Sequence, residues 1–358
     1  MFRETKDILD RLAKGEHLPA SAWQSILEDE SEEAAAYAKA LAREVTDRCF
    51  GRRVYLRGLI EFTSYCKQNC YYCGLRSGNT RAERFRLTEE EILACCRHGY
   101  EQGLRTFVLQ GGEDPFFTEA KICRLVALIR ETYPEAAVTL SIGEWPKASY
   151  QRFFEAGADR YLLRHETANE AHYRRLHPAK QRLETRKRCL YDLKDIGFQV
   201  GAGMMIGSPG QTVSCLAEDF LFLDELRPHM VGIGPFIHHR DTPFRDEPNG
   251  STERTYYCLS LLRLLLPEVL LPATTALGTL VPGGRERGIE AGCNVIMPAI
   301  SPAEARAKYL LYDGKVTAEQ GGSSGIHELE ASLAAIGYRI DSSRGDAPAW
   351  HRRKGVTT

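Results

Sequence analysis

From Arg53 onward, short apolar runs alternate with stretches of helical periodicity. The runs are "VYLRGLIEF" (54–62), "RTFVLQ" (105–110), "AVTLSI" (137–142) and "RYLLRH" (160–165). They continue with "FQVGAGMMIG" (198–207), "MVGIGPF" (230–236), "VLLPATT" (269–275) and "CNVIMP" (293–298). Between them lie helical patterns such as "TEEEILACCRHGYEQG" (88–103) and "EAKICRLVALIRETY" (119–133). The second places Ile122, Leu125, Val126 and Ile129 on one face. Strand–helix alternation around one apolar core predicts parallel strands joined by right-handed crossovers. Eight runs are the number that closes a (β/α)8 barrel, so the expected class is an α/β TIM-type barrel. A six-strand partial barrel or an open doubly wound sheet satisfies the same alternation.

The flanks read differently. Residues 1–50 are polar and helical, with "SEEAAAYAKALAREV" (31–45) the clearest helix and Ser31 its N-cap. After the barrel, residues 306–358 form a C-terminal extension packed on it, with a Gly/Ser-rich loop at "EQGGSSGIHE" (319–328) before a last helix. The division is therefore an N-terminal helical extension (1–50), a barrel (51–305) and that extension.

Composition narrows the function. The 358 residues are 43% hydrophobic and 27% charged with a net charge of −1, so bulk electrostatics gives no sign of nucleic acid or membrane as a partner. The start of the chain has no apolar segment of a signal peptide, and the longest apolar run, "LSLLRLLLPEVLL", is broken by Arg263 and Pro267. The expected location is cytoplasmic. Eleven cysteines in such a chain favour metal binding or catalysis over disulfides.

Three of them stand together. "SYCKQNCYYCGL" (64–75) holds Cys66, Cys70 and Cys73 just after the first strand, where barrel loops carry function. Soft thiolates suit zinc or an iron–sulfur cluster. A structural zinc site would pair two Cys-x-x-Cys halves, and no second half exists: Cys95 and Cys96 are adjacent, and Cys123, Cys189, Cys215, Cys258 and Cys293 stand alone. Three thiolates on a cube of four irons leave one iron open to a small molecule.

Other strand ends carry candidates. "VLQGGEDPFF" (108–117) offers Gly111 and Gly112, a tight turn or a place of close backbone approach. "DRYLLRHETAN" (159–169) presents Arg160, Arg164, His165 and Glu166, a solvated rim or a carboxylate clamp, with Arg186 on the next helix. Thr274 and Thr275 end "LPATT", as hydroxyl donors or simply as strand residues. "PGGRERG" (282–288) reads as a turn before a helix, "HHR" (238–240) as a surface loop, and Arg76, Arg81, Arg84 and Arg86 as a solvated surface or a face toward an acidic electron donor.

The spacing C-x3-C-x2-C, with Tyr72 before the last cysteine, resembles the signature of the radical S-adenosylmethionine (SAM) superfamily. The resemblance implies a 4Fe–4S cluster whose open iron chelates SAM, and reductive cleavage to a 5′-deoxyadenosyl radical. "YCKQNCYYCGLR", "VLQGGEDPFF", "LSIGEWP", "YLLRHETAN", "GAGMMIGSPGQT", "MVGIGPFIHHRDTP", "PATTALGTLVPGGRERG" and "GCNVIMP" are similar, in order, to the HydE family, radical SAM maturases of iron–iron hydrogenase in the biotin-synthase-like branch. The likeness runs from about residue 50 to 305.

That family implies a full barrel, a long internal cavity and an iron–cysteine dicarbonyl cyanide substrate made by a partner maturase. Cys66, Cys70 and Cys73 would hold the cluster. Tyr72, Gly111, Gly112, Glu113, Ser141, Glu166, Arg186, Met205 and Ile233 would bind SAM. Thr139, Arg160, Arg164, Met230, Thr274 and Thr275 would face the substrate. Reduced ferredoxin or flavodoxin would supply electrons, and the other hydrogenase maturases would be partners. Some members carry three more cysteines near the C-terminus for a second cluster; here none follows Cys293 and the region reads "KVTAEQGGSSG", so one cluster is expected. The rival within the branch is methylornithine synthase, which departs from "LRHETAN" and "ATTA". Biotin synthase needs ligands for a 2Fe–2S cluster that are not evident here. A simple electron carrier would want a fourth thiolate and a smaller chain.

Overall fold

The computed structural model describes residues 2–316 and 323–350. Three helices come first: α1 (Phe2–Ala13), α2 (Ala20–Glu28) and α3 (Glu32–Phe50). The start of α3 follows its sequence signal, since the Ser31 hydroxyl accepts the Ala34 N–H.

The first apolar run is two strands, β1 (Arg53–Leu56) and β2 (Gly58–Thr63), parted at Arg57. Then come β3 (Thr106–Gly111), β4 (Ala137–Ser141), β5 (Arg160–Leu162) and β6 (Gln199–Ala202). After them lie β7 (Met205–Ile206), β8 (Met230–Val231), β9 (Gly234–Pro235), β10 (Val295–Ile296) and β11 (Arg339–Asp341). A six-stranded parallel sheet has the order β2-β3-β4-β5-β6-β8. Single parallel bridges, Met230 to Leu270 and Pro272 to Val295, carry the pairing on to β10, which pairs with β1. Parallel pairing thus passes through eight positions and returns to its start.

Two more of the expected strands are interrupted. The runs 198–207 and 230–236 each split, and their upper halves, β7 and β9, pair separately. The break falls where the two backbones crowd: a Cβ at Gly203 would lie 2.0 Å from the Gly232 carbonyl oxygen. The seventh run, 269–275, keeps only its bridges, because Thr274 and Thr275 turn into a helix.

The crossover helices are α4 (Glu89–Glu101), α5 (Glu119–Thr132), α6 (Lys147–Ala156), α7 (Glu170–Leu176), α8 (Leu183–Ile196), α9 (Val213–Leu226) and α10 (Thr252–Leu265). They are followed by α11 (Thr275–Leu280), α12 (Gly284–Glu290), α13 (Ala303–Lys308) and α14 (Ser323–Ala335). A full capping box, Thr88 with Glu91, starts α4. The buried residues of α5 are Ile122, Leu125, Val126 and Ile129, the face its periodicity predicts. Helix α10 is apolar nearly all round because α3 covers its outer side, while α2 rests on α9. Inside it Arg263 is fully buried, its guanidinium spent on the carbonyls of Gly292, Pro267 and Val269. Gly283, at φ 68, leads "PGGRERG" into α12.

The expected loop at 319–328 ends sooner than its composition suggests, as α14 begins at Ser323; its residues 319–322 lie outside the described residues. Strand β11 then pairs with β1, and the segment after it crosses the lower end of the barrel. Among the described residues no helix is long and apolar enough to cross a membrane.

Candidate active site

The loop after β2 holds the three cysteines, and one arginine organises it. Arg84 donates to the carbonyls of Ser64, Leu75, Arg76 and Asn79, closing residues 64–79 into a compact loop. It is therefore not the solvated residue its sequence context suggests. Asn69 accepts the Gly78 N–H and Asn79 donates to the Gly74 carbonyl, bracing the same turn. The next strand end presses on the loop: a Cβ at Gly112 would stand 2.2 Å from the Tyr65 carbonyl oxygen and 2.6 Å from Cys66 Cβ. Only glycine fits there, and the approach lets the Glu113 N–H donate to Cys66 Sγ at 3.4 Å. The Gln181 amide lies 3.5 Å from Cys70 Sγ.

Cys66, Cys70 and Cys73 are free thiols that all line one cavity of about 350 Å³ at the top of the barrel. Burial pushes Cys70 up to about 11 and raises Cys66 and Cys73 as well, so bare thiols there stay protonated near neutral pH. A cationic metal centre would convert them to thiolates. Among the described residues no three His, Cys, Asp or Glu side chains converge on a single metal ion. Three soft sulfur donors on one cavity would fit an iron–sulfur cluster.

The other expected cofactor residues gather on the same cavity. Tyr72, Gly111, Gly112, Glu113, Ser141, Glu166, Arg186 and Met205 all line it. Glu166 holds a left-handed backbone, φ 66, uncommon for a residue with a side chain. Its N–H donates to the Gly203 carbonyl at 2.9 Å, and the bridge to Met204 fixes it against the neighbouring strand end. Arg186 is buried, with Nε 2.5 Å from a Glu144 oxygen and Nη1 donating to the Arg164 carbonyl at 2.6 Å. The Glu113 carboxylate is largely engaged, accepting from Gln68 at 2.8 Å and the Glu144 N–H at 3.2 Å, with Lys67 3.4 Å away. Arg164, ion-paired with Glu166 at 3.0 Å, and Thr274 and Thr275 line the cavity too. Thr274 Oγ1 is buried without a hydrogen-bond partner.

Four expected residues lie elsewhere. Arg160 opens β5 at the lower end of the barrel, is 0% exposed, and donates to Asp346 (2.7 Å), the Arg344 carbonyl (2.6 Å) and Thr106 Oγ1 (2.9 Å). Side chains at the beginning of a parallel strand sit far from its C-terminal loops, which corrects its reading as a cavity residue. Met230 opens β8 at the same level, where its sulfur receives Arg57 Nη1 at 3.0 Å. Thr139 is mid-strand in β4, its hydroxyl buried without a partner, and Ile233 is packed in the main core. None of the four lines the cavity.

Several lining residues have no motif to announce them. Gln68 and Gln181 flank the cysteines, and Gln110 follows the core of β3. From beyond the barrel, Tyr309, Leu311, Tyr312 and Lys315 close one side. Lys315 reaches Glu61 on β2 at 2.5 Å and the Tyr309 carbonyl at 2.8 Å, a nearly buried ion pair in the cavity wall.

Residues 60–223 match the family described as the Radical SAM superfamily. The [FeFe] hydrogenase maturase subunit HydE of Thermotoga maritima is 48% identical over 276 residues, 77% of this chain and 78% of that protein. The chain belongs to the HydE family of radical SAM enzymes. The 3-methylornithine synthase of Methanosarcina barkeri is 30% identical, over 84% of this chain and 85% of its own. The crystal structure of methylornithine synthase (PylB) matches with a TM-score of 0.81 and 26% identity, covering 93% of this chain and 97% of that one. The HydE-family chain is thus an enzyme on a TIM-type barrel, of a superfamily that uses SAM and a 4Fe–4S cluster.

Proposed function

We propose that this HydE-family chain matures iron–iron hydrogenase, acting on an iron–cysteine dicarbonyl cyanide unit with one 4Fe–4S cluster and SAM. The observation that carries the reading is that three thiols, the Gly111–Gly112 turn, Arg164, Thr274 and Thr275 all line one cavity. When bound, the cluster and SAM together supply reductive cleavage of the sulfonium and a 5′-deoxyadenosyl radical.

The chain's own residues divide the remaining work. Cys66, Cys70 and Cys73 hold the cluster, and the Gly111–Gly112 backbone approaches the SAM ammonium. Arg186, kept cationic among Glu144 and the Arg164 carbonyl, pairs with the SAM carboxylate. Glu166, oriented by its strained backbone, accepts from SAM hydroxyls. Arg164 and the free hydroxyl of Thr274 meet the anionic and cyanide-bearing substrate. Tyr309, Tyr312 and Lys315 shelter the reacting space from water. A reduced ferredoxin or flavodoxin and the other maturases complete the system.

The test is 5′-deoxyadenosine release by the reconstituted, reduced protein, with and without the iron–cysteine dicarbonyl cyanide unit. Strong stimulation is expected. The TM-score of 0.81 to methylornithine synthase favours one second reading, rearrangement of an amino-acid carbon skeleton. Stimulation by lysine and not by the iron unit would establish that reading instead.

A further inference from the structure

A second concavity, of about 290 Å³, opens on the outer side of the cysteine loop. Lys67, Gln68, Glu144, Lys180, Gln181 and Arg182 line it. Gln68 and Gln181 line the cavity as well, so the groove and the cluster site share a wall one side chain thick. Behind that wall the Gln181 amide stands 3.5 Å from Cys70 Sγ. The groove thus comes within one side chain of a cluster ligand.

Its charge is one-sided. Lys67, Lys180 and Arg182 are exposed, Lys67 with Glu113 3.4 Å away, and the one lining carboxylate, Glu144, is bound inward by Arg186 at 2.5 Å. Neither Lys180 nor Arg182 has a carboxylate partner among the described residues. Arg182 occupies the N-cap of α8 and makes no side-chain cap bond. A cation at the positive end of a helix works against the helix dipole, so helix stability does not account for it. Tyr65, two residues before Lys67, and Phe116 are 37% and 47% exposed, with the Arg86 guanidinium 3.8 Å and 4.7 Å from their ring centres. Asp114, which neutralises Arg86, is itself buried, leaving aromatic and cationic groups outward. Exposed aromatics beside arginine are the composition of protein interfaces.

We propose that this basic groove and its aromatic ridge dock an acidic one-electron carrier protein that reduces the cluster across the Gln68–Gln181 wall. The proposal rests on the radical SAM reading of the cavity. The step moves one electron: the reduced carrier is oxidised by one electron, the cluster is reduced by one, and no bond or proton is exchanged. Charge complementarity selects an acidic partner, and the thin wall over Cys70 selects an electron carrier over a maturase delivering substrate, which needs an opening into the cavity.

The experiment uses the full reconstituted chain and reduced flavodoxin, an acidic carrier, as probe. The charge-reversed variant K180E/R182E is compared with wild type by calorimetric flavodoxin binding at low salt, and by SAM cleavage driven either by flavodoxin or by dithionite. The expected result is about tenfold weaker binding and about tenfold slower flavodoxin-driven cleavage, with dithionite-driven cleavage unchanged. The charge-conserving K180R/R182K keeps wild-type binding. Unchanged flavodoxin binding and cleavage in K180E/R182E would overturn the proposal, including the case where only substrate transfer from a partner maturase is lost. An equal loss with dithionite would also overturn it, by making these residues part of the active site. If wild type fails to cleave SAM with dithionite, the radical SAM reading fails, while the binding comparison still decides the docking face.

Discussion

Two arginines four residues apart show how much a strand position decides. Arg164 lies past the end of β5 on the cavity; Arg160 begins the same strand and is buried at the other end. Replacing Arg160 by Met breaks its pair with the half-buried Asp346, which costs about 2 kcal/mol, and lowers Tm while leaving the substrate KM unchanged. Replacing Arg164 by Met is expected to do the reverse, raising KM with little change in Tm. Thermal unfolding and KM measured on both variants separate the two, and a raised KM in R160M would return Arg160 to the substrate. Arg84 makes a third case. Its planar fork reaches four carbonyls, which a lysine ammonium cannot match. R84K should fold but lose cluster faster under a chelator; wild-type iron retention would refute its role as the loop's clamp.

At the level of elements, the strand–helix alternation carried most of the barrel, because apolar strands and one-sided helices leave periodic traces. It failed where tertiary contact decides. The seventh run ends in a helix, since Thr274 and Thr275 supply hydroxyls to the cavity rather than rungs to a ladder. The cysteine trio and the Gly-Gly turn were legible because their chemistry demands local spacing. Gln181, Tyr309 and Lys315 were not, as they reach the site from other elements and carry no motif of their own. For the segment after β11 only an extension packed on the barrel was expected, with no residues named; at the lower end of the barrel Asp346 accepts from Arg160 and from Gln199 at 2.6 Å and pairs with Arg344 at 2.6 Å. Burial alone would raise the Asp346 carboxyl, but Arg160, Arg344 and the Gln199 hydrogen bond override it and hold it below its usual value. A carboxylate depressed in the folded state stabilises above its unfolded pKa, about 3.9, and that stability disappears as pH falls through the folded value. Cluster-free wild type should therefore lose Tm more steeply than D346N between pH 5 and the acid limit, on the order of 1 kcal/mol of extra loss. Parallel pH profiles would show that Asp346 contributes nothing to stability.

Across the whole molecule the cysteines sort into two populations. Three sit on one loop at the cavity; the other eight are scattered over α3, α4, α5, α8, α9, α10 and the approach to β10, six of them buried. Burial pushes Cys258 and Cys293 up to about 12, and Cys95 to about 11, so these behave as small apolar side chains with protonated thiols. No second trio shares a loop among the described residues, and all eleven cysteines fall within them. This distribution supports the proposal of a single cluster, whose open iron would take SAM. The reconstituted chain is therefore expected to hold about four irons, and C66A/C70A/C73A to hold none while keeping the secondary structure of wild type. Iron near eight per chain would require a second cluster that the buried thiols cannot supply without unfolding their helices. Cluster-free native protein should likewise react rapidly with a thiol reagent at the loop cysteines and slowly at the six buried ones, which become reactive in denaturant. Equal rates for all eleven in the native state would mean that the helices carrying the buried thiols open far more readily than their packing allows.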